Sequence, residues 1–423
     1  PSPLVDFEID AYENTTRKFH VFGNAYLRFN LMEGLKFTTT FSPNFYHGRQ
    51  GVFMGTGVSE KYPLGTAWYQ KKKYNEATVT NTDRLDWTWD NQIDFTKTFG
   101  DHRIGAMGLF SLYKSDKEQY TQGVTDISDD KLSFYAMGKG SGTKDIASSY
   151  TESSLVSVAA RVNYAYKERY MATVTVRTDG SSRFAKNNRW GWFPSAAVAW
   201  RASEEDFLKD VEWLDNLKLR LSYGITGNNN VGDYVTSSSA AGPSYVTING
   251  KELQGYYPNG LVDKNLIWEK IKEFNFGLDF AVLQNRINVT ADAYRRLSDG
   301  QIMKATVPIE TGESSITTNI GSVQNTGIEL GLNFGVIRNQ NFTWDVNVSF
   351  ARNWSKIKEL PNGDDISKNW FIGERLNVLR DYTPAGVITD QGVTMHTING
   401  DRHYTLPVSY THSPSPRDAT LSR

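Results

Sequence analysis

The feature that most constrains the fold is a strict two-residue alternation along segments between positions 170 and 228. In YMATVTVRTDG, one parity holds Tyr170, Ala172, Val174 and Val176, and the other, which is mostly polar, holds Met171, Thr173, Thr175 and Arg177. Successive strand side chains point to opposite faces of a sheet, so this pattern predicts strands with one apolar and one polar face. The same separation recurs in two later segments, whose apolar rows are Trp192, Pro194, Ala196, Val198 and Trp200, and Leu217, Leu219, Leu221 and Tyr223.

The types of residue on the apolar face indicate whether that face contacts lipid or a protein interior. Small aliphatic residues occupy its middle, and aromatic residues such as Trp192 and Trp200 lie toward its ends. This distribution is typical of a lipid-facing strand flanked by aromatic girdles. A soluble β-sandwich also alternates, so alternation alone leaves both classes open.

Charge and hydropathy narrow the class of protein. The chain of 423 residues has a net charge of -1 and a mean hydropathy of -0.50. No apolar run approaches the roughly 18 residues of a membrane-spanning helix, so a membrane protein of this composition has to be a closed barrel with a polar lumen. The charge argues against nucleic-acid binding. The absence of cysteine excludes disulfides, thiolate metal sites and cysteine nucleophiles.

The connections between the predicted strands alternate in length. Short ones contain NLMEG, GDHR, YKER, LQNR and IRNQ, and a medium one, SEEDFLKDVEWLDN, has room for a short helix. Long ones cover about 48–83, 115–152, 180–189, 228–270 and 298–321. Short periplasmic turns and long extracellular loops are typical of outer-membrane barrels. Between these connections, the apolar/polar alternation of residues predicts roughly twelve strands. They lie at about 19–30, 34–47, 84–99, 103–114, 153–167, 169–179, 190–202, 215–227, 271–283, 285–297, 322–337 and 340–353.

Charged residues in the later strands fall on the parity that would face the lumen. Phe274, Phe276 and Phe280 share the apolar side, while Asn275 and Asp279 lie on the other. A charge on the lipid face near mid-membrane costs about 2–4 kcal/mol, which explains this placement.

Three runs carry a family resemblance. RTDGSSRFAKNNRWGWFPSAAVAWRASEE with WLDNLKLRLSYGITGN, WEKIKEFNFGLDFAVLQNRINVTADAYRRLSDG, and TTNIGSVQNTGIELGLNFGV resemble barrel strands of the SusC/RagA family of TonB-linked outer-membrane transporters. The resemblance implies an all-β fold, an antiparallel transmembrane β-barrel of about twenty-two strands. This chain would supply an incomplete barrel of roughly twelve of them. It also implies the outer membrane of a Gram-negative, Bacteroidetes-like cell.

The resemblance implies a function and partners as well. The expected function is TonB-dependent import of oligosaccharides or peptides, with a SusD-like surface lipoprotein covering the barrel mouth. TonB would act through an N-terminal region outside this chain, and outer-membrane lipid would surround the wall. No cofactor and no nucleic acid is implied.

The same reasoning divides the chain. Residues 1–353 are expected to form the partial barrel, and 354–406 an extracellular loop region after the last complete strand. Residues 407–423, PVSYTHSPSPRDATLSR, show no strand alternation and are interpreted as a non-native or disordered tail. A plug domain is expected to be absent from the chain.

No catalytic or metal-binding constellation emerges, so the protein is predicted not to be an enzyme. The glycines of GKGSGTK lack phosphate-loop spacing and indicate a flexible loop, and the carboxylate pairs Glu204/Glu205 and Asp129/Asp130 are interpreted as solvated. In TINGDRHYT, Thr397 and Arg402 stand where a calcium loop needs an acid and a glycine. The histidines lack metal spacing: His20, His47, His102, His396, His403 and His412.

Aromatic residues in the long loops are the candidate ligand-binding side chains: Trp68, Tyr69, Tyr245, Tyr256 and Tyr257. Flat rings with polar edges can stack on sugars or peptide side chains. Packing of these rings within the loops or against a partner is the alternative. The turn around Thr178 to Arg183 is interpreted as a hairpin cap rather than a ligand contact.

Two other functions remain compatible with the pattern. A soluble secreted glycan-binding module would use the same strands and loop aromatics, and an ungated outer-membrane porin would use the same wall. Recovery without detergent would indicate the first, whereas barrel strands partition with membranes.

Overall fold

The computed structural model describes residues 11–56, 74–376 and 378, together with 383–384, 394–398 and 401–405. Most of them belong to one 13-stranded antiparallel sheet in which neighbours follow chain order. Its strands are β1 (Tyr12–Phe22), β2 (Ala25–Met32), β3 (Leu35–Met54), β4 (Glu76–Phe99), β5 (His102–Thr125), β6 (Lys144–Tyr166), β7 (Tyr170–Ser181), β8 (Trp190–Arg201), β9 (Leu214–Asn228), β12 (Glu269–Val282), β13 (Ile287–Asp299), β16 (Ser322–Arg338) and β17 (Thr343–Glu359).

Short elements fill the connections. No helix in the described part of the chain is long and apolar enough to cross a membrane. The described helical elements are single 3-10 segments: Asp130–Tyr135, Met137–Lys139, Lys186–Asn188, Ala202–Glu204, Ile309–Thr311 and Ile366–Lys368. The remaining strands form small sheets: β10 (Ala240–Ile248) with β11 (Lys251–Pro258), β14 (Ile302–Thr306) with β15 (Ser315–Asn319), and β18 (Thr383–Pro384), β19 (Thr394–Ile398) and β20 (Asp401–Thr405).

The strands β1 and β2 are two parts of one row, because both pair with β3. The break lies opposite Pro43, which has no N–H to donate to the ladder, and only the amide of Gly23 reaches the Pro43 carbonyl, at 3.0 Å. Counting this row once, the main sheet has twelve long strands in the positions that the sequence predicted.

Several strands extend further toward the long connections than the alternation predicted. The segment predicted at 103–114 is β5, which runs to Thr125, and the one predicted at 84–99 is β4, which begins at Glu76. Two connections predicted as plain loops contain the hairpins β10–β11 and β14–β15. Beyond the lipid both faces of a strand meet water or protein, so the apolar/polar alternation fades there.

The apolar rows lie on the outside of the sheet. Trp192 is 61% exposed, Val198 54% and Phe276 46%, whereas a soluble sandwich would bury such residues. They also align between strands, as in the register row Val162, Val174, Ala196, Tyr223 and Phe274. The predicted lipid-facing band is therefore a continuous outer wall.

Aromatic residues mark both margins of this band. Near the short turns Tyr166, Tyr170 and Trp200 occupy one register row, the lower aromatic row. Trp190 lies ten positions before Trp200 on the same face. Ten residues rise about 33 Å along a strand, which a tilt of about 40° reduces to about 25 Å across the membrane. This is the height expected of a barrel's apolar band.

The polar face is concave. Arg28 on β2 and Arg177 on β7 line one cleft although four strands lie between β2 and β7 in the sheet. Gln92, Leu109 and Ala159 continue the register row that joins them. This concave surface is called the lumen face below.

Buried apolar clusters lie at the loop end of the wall. One joins the loop-side parts of β3, β4 and β5 to the 126–143 connection, through Phe53, Val79, Val124 and Phe134. A second joins Phe184, Phe193, Val231, Leu266 and Trp268. Apolar surface above the hydrocarbon would otherwise meet water, so protein covers it there.

Adjacent alanines on β8 test the orientation of the wall. Ala196→Arg places a charge on the outer face in the middle of the band, and we expect it to destabilise the folded barrel by about 2–4 kcal/mol. Ala197→Arg is the matched control, because Ala197 faces the lumen in a cleft that also holds Glu273. Urea titrations of the receptor in lipid vesicles measure both, and an equal loss in the two variants would contradict the assigned faces.

Candidate functional site

The lumen face between β2 and β7 carries a polar cleft of about 930 Å³. Its lining mixes cationic and anionic side chains with hydroxyl and amide groups. The Gln92 amide donates to both carboxylate oxygens of Asp94, at 2.9 Å each. Such a lining can hydrogen-bond a polar ligand or another polar protein surface. The polar residues of the cleft are Arg28, Lys36, Thr38, Thr40, Asp90, Gln92, Asp94, Thr96, Ser111 and Arg177.

At the β7 side of this cleft Arg177 is held by its neighbours. Its Nε donates to both oxygens of Asp179, at 3.0 and 2.8 Å, and its Nη2 donates to Ser157 Oγ at 3.1 Å. Asp179 and Ser157 are buried, 5% and 2% exposed. The guanidinium is therefore fixed in position on the wall.

A second charge network crosses three strands near the lower aromatic row. Arg220 on β9 binds Asp279 on β12 through two bonds of 3.0 Å and Asp292 on β13 through bonds of 3.1 and 3.2 Å. Gly277 lies opposite both Arg220 and Asp292 in the ladder, and a Cβ there would lie 2.5 Å from Arg220 Cζ. The glycine leaves the space through which the guanidinium reaches the second carboxylate. The sequence placed Arg220 and Asp279 on this face but gave no sign of the shared network.

The exposed hairpin β10–β11 holds three of the predicted ligand-binding aromatics. Tyr245 pairs with Gln254, whose amide donates to the Tyr256 hydroxyl at 3.3 Å, so these two tyrosines share one face. Tyr257 lies on the opposite face. The three rings are 61%, 67% and 55% exposed for Tyr245, Tyr256 and Tyr257 respectively. Trp68 and Tyr69 lie outside the described residues.

The turn after Asp179 makes protein contacts. Ser181 is 1% exposed, and Arg183 donates to Asp233 Oδ1 at 2.8 Å in the neighbouring connection. Phe184 packs on Trp268, with ring centroids 5.3 Å apart. These contacts support the interpretation of this segment as a cap of the strand ends.

The glycine-rich segment GKGSGTK is packed against the wall. Gly140 and Gly142 lie against Val124 and Thr125, where an added Cβ would come within 2.3 Å of either side chain. Asp130 in the same connection accepts a bond from the buried Asn75. Asp129 and Asp130 are both exposed, in agreement with their interpretation as solvated carboxylates, and Asp130 makes this one additional contact.

Metal chemistry gains no support from the geometry. Within the described ranges, no group of three or more His, Asp or Glu side chains is placed to hold a metal ion. Thr397 and Arg402 face each other across the β19–β20 hairpin.

Glu205 follows the 3-10 segment Ala202–Glu204. Its place in a connection predicted a freely solvated carboxylate, and this prediction is wrong because its side chain is only 13% exposed. It accepts hydrogen bonds from Tyr170 Oη at 2.5 Å, Trp200 Nε1 at 3.0 Å and Arg169 Nη1 at 3.3 Å. The bonds from Tyr170 and then Trp200 lower the pKa of Glu205 below its ordinary value. No sequence pattern signals this contact, because the donors lie on different strands.

The geometry of the wall defines a class of protein. A curved antiparallel sheet with an apolar outer band, aromatic margins and a polar inner face is the wall of an outer-membrane β-barrel. The chain belongs to the family described as TonB dependent receptor-like, beta-barrel, which matches residues 5–404. Receptors of this family lie in the outer membrane, and the SusC/RagA resemblance of the sequence agrees with the match to a SusC relative.

Two relatives and one solved structure illustrate the similarity. TonB-dependent receptor P3 of Formosa agariphila is 32% identical over 362 residues, 85% of this chain and 35% of P3. TonB-dependent receptor SusC of Bacteroides thetaiotaomicron is 42% identical over 238 residues, 54% of this chain and 23% of SusC. The structure of the RagAB peptide transporter shares the fold at a TM-score of 0.79 and 20% identity, covering 95% of this chain and 44% of that one. The chain thus spans 23% to 38% of the length of the curated relatives it matches.

The Glu205 contacts predict a pH dependence. A carboxylate with a lowered pKa in the folded state adds stability that is present above its ordinary pKa, about 4.5, and is lost as the pH falls through the folded value. We expect Glu205→Gln to lower the stability of the receptor at pH 7 and to flatten its decline below pH 4.5. Urea midpoints at pH 7 and pH 3 measure this, with Glu204→Gln, at the exposed neighbour, as the control. Equal effects of the two substitutions would refute the assignment.

Proposed function

We propose that this chain is the barrel part of an outer-membrane importer driven by TonB. The observation that carries the proposal is the wall itself: a chain of the TonB-dependent receptor family presents a concave, hydrogen-bonding surface to the lumen. The wall supplies a polar passage, and opening that passage needs an energy source that the wall does not contain. In this proposal TonB supplies it, through a region outside this chain.

We propose oligosaccharides or peptides as the cargo and a SusD-like lipoprotein as the partner at the extracellular mouth. Two relatives support this choice: one is named SusC, and the other is titled a peptide transporter. The charges of the wall support it too, because Arg177 and Arg220 are already paired with carboxylates. Arginines whose charge is already neutralised favour polar ligands recognised by hydrogen bonds over anionic ligands.

The Tyr245/Tyr256 face of the β10–β11 hairpin is proposed as a ligand-stacking surface. Both rings are exposed on one face of a connection on the long-loop side, and Gln254 supplies an amide between them. A planar ring with a polar neighbour can stack on a sugar or a side chain and bond its edge. Division of the chain into a barrel at 1–353, a loop region at 354–406 and a separate tail at 407–423 remains part of the proposal.

Uptake measurements test the import proposal. Cells carrying the intact receptor are given labelled oligosaccharide and labelled peptide pools, with and without a protonophore. We expect uptake of one pool that collapses when the proton gradient is removed, because TonB draws on that gradient. Uptake unaffected by the protonophore would indicate an ungated porin, and uptake of neither pool would refute the import of both classes.

Opposite faces of the hairpin provide a matched test of stacking. The pool that is taken up is titrated against the purified receptor complex. We expect Tyr245→Ala with Tyr256→Ala to weaken binding about tenfold, equivalent to about 1.4 kcal/mol, and Tyr257→Ala to leave it unchanged because Tyr257 lies on the other face. Equal weakening by both variants, or none by either, would contradict the proposed surface.

A further inference from the structure

An apolar groove of about 460 Å³ lies on the outer wall directly above the lower aromatic row. All outward side chains of its lining are apolar or aromatic, and the wall around it is the lipid-facing band. The groove is separate from the lumen face and from the loop hairpins. Its principal outward residues are Tyr164, Tyr170, Ala172, Val198, Trp200 and Phe276.

The shape of the groove follows from the register. Tyr164, Ala172, Val198, Leu221 and Phe276 are successive partners in one row across five strands. The small Ala172 between larger neighbours leaves a depression in the wall. The groove is closed on one side by the next row, which contains the rings at 170 and 200.

The rings that close the groove are fixed from outside the membrane. The Tyr170 hydroxyl and the Trp200 indole N–H both donate to Glu205, at 2.5 and 3.0 Å. Arg169 binds the same carboxylate at 3.3 Å and lies at the turn before β7. Because one anchor holds both rings, the lower end of the groove keeps its shape.

We propose that this groove binds one acyl chain of a phospholipid in the periplasm-facing leaflet. Its floor at Ala172 lies two residues inside the lower aromatic row, at hydrocarbon depth, and the short turns below it face the periplasm. An apolar cleft at that depth is covered by lipid. The turn below carries two ion pairs, Lys167 with Asp101 at 3.6 Å and Arg169 with Glu205 at 3.3 Å, so groups of both charges lie at the depth of a zwitterionic lipid headgroup.

Native mass spectrometry of the intact receptor, extracted in mild detergent and titrated with palmitoyl-oleoyl phosphatidylethanolamine, tests the proposal. Ala172→Trp fills the groove, and we expect it to weaken binding of the tightest lipid about tenfold or more. Ala160→Trp is the matched control, because Ala160 is an exposed, outward-facing alanine outside the groove. It is expected to bind that lipid as the unaltered receptor does. If Ala172→Trp does not fold, the smaller Ala172→Leu is used with Ala160→Leu.

Three outcomes would overturn the proposal. The first is equal lipid binding by the groove-filling and control variants. The second is a receptor that retains detergent only. The third is a dimer that the groove-filling variant dissociates, which would assign the surface to a second copy of the chain.

Discussion

The antiparallel hydrogen-bond ladder is the constraint on which the rest of this structure depends. Within lipid no water is available to pair with backbone groups, so each amide and carbonyl must bond to a neighbouring strand. The ladder also fixes which side each residue faces. A register slip of one residue would turn Arg220 and Asp279 toward hydrocarbon and Leu221 and Phe280 toward the lumen. Two unlike solvents on the two faces therefore specify the register more strongly than local propensity does.

The same register builds each functional surface from residues far apart in sequence. Arg28 and Arg177 line one cleft because a single register row runs from one to the other across the curved wall. Arg220 reaches Asp292 because glycine stands between them in the ladder. On the outer side, one alanine in a row of larger residues makes the acyl-chain groove. Surface chemistry on this wall is thus decided one register row at a time.

The sequence predicted the features that depend on strict alternation, and it did so for a physical reason. All twelve long strands and their apolar faces, such as the Trp192/Val198 row, could be read because lipid on one side and water on the other impose opposite residue types at successive positions. Alternation weakens above the membrane, so the sequence did not predict the extension of β5 to Thr125 or the β10–β11 hairpin.

Contacts between elements that are distant in sequence were not predicted either. Glu205 looked like a solvated carboxylate because its donors, Tyr170 and Trp200, precede it on other strands of the wall.

The two ends of the wall are stabilised differently, and this difference affects how a ligand would bind at the loop end. At the short-turn end, the outer face ends in the aromatic rings of Tyr170 and Trp200, which donate hydrogen bonds to Glu205 and border the lipid-facing band. At the loop end the buried clusters around Phe53 and Trp268 replace lipid with protein, and they tie connections to the strand ends. A packed rim gives the loops a firm base, while the β10–β11 hairpin keeps its tyrosines exposed above it. Rigid support with an exposed recognition element lets side chains of the hairpin vary without disturbing the ladder, since in the described part of the chain no strand of the main sheet pairs with it.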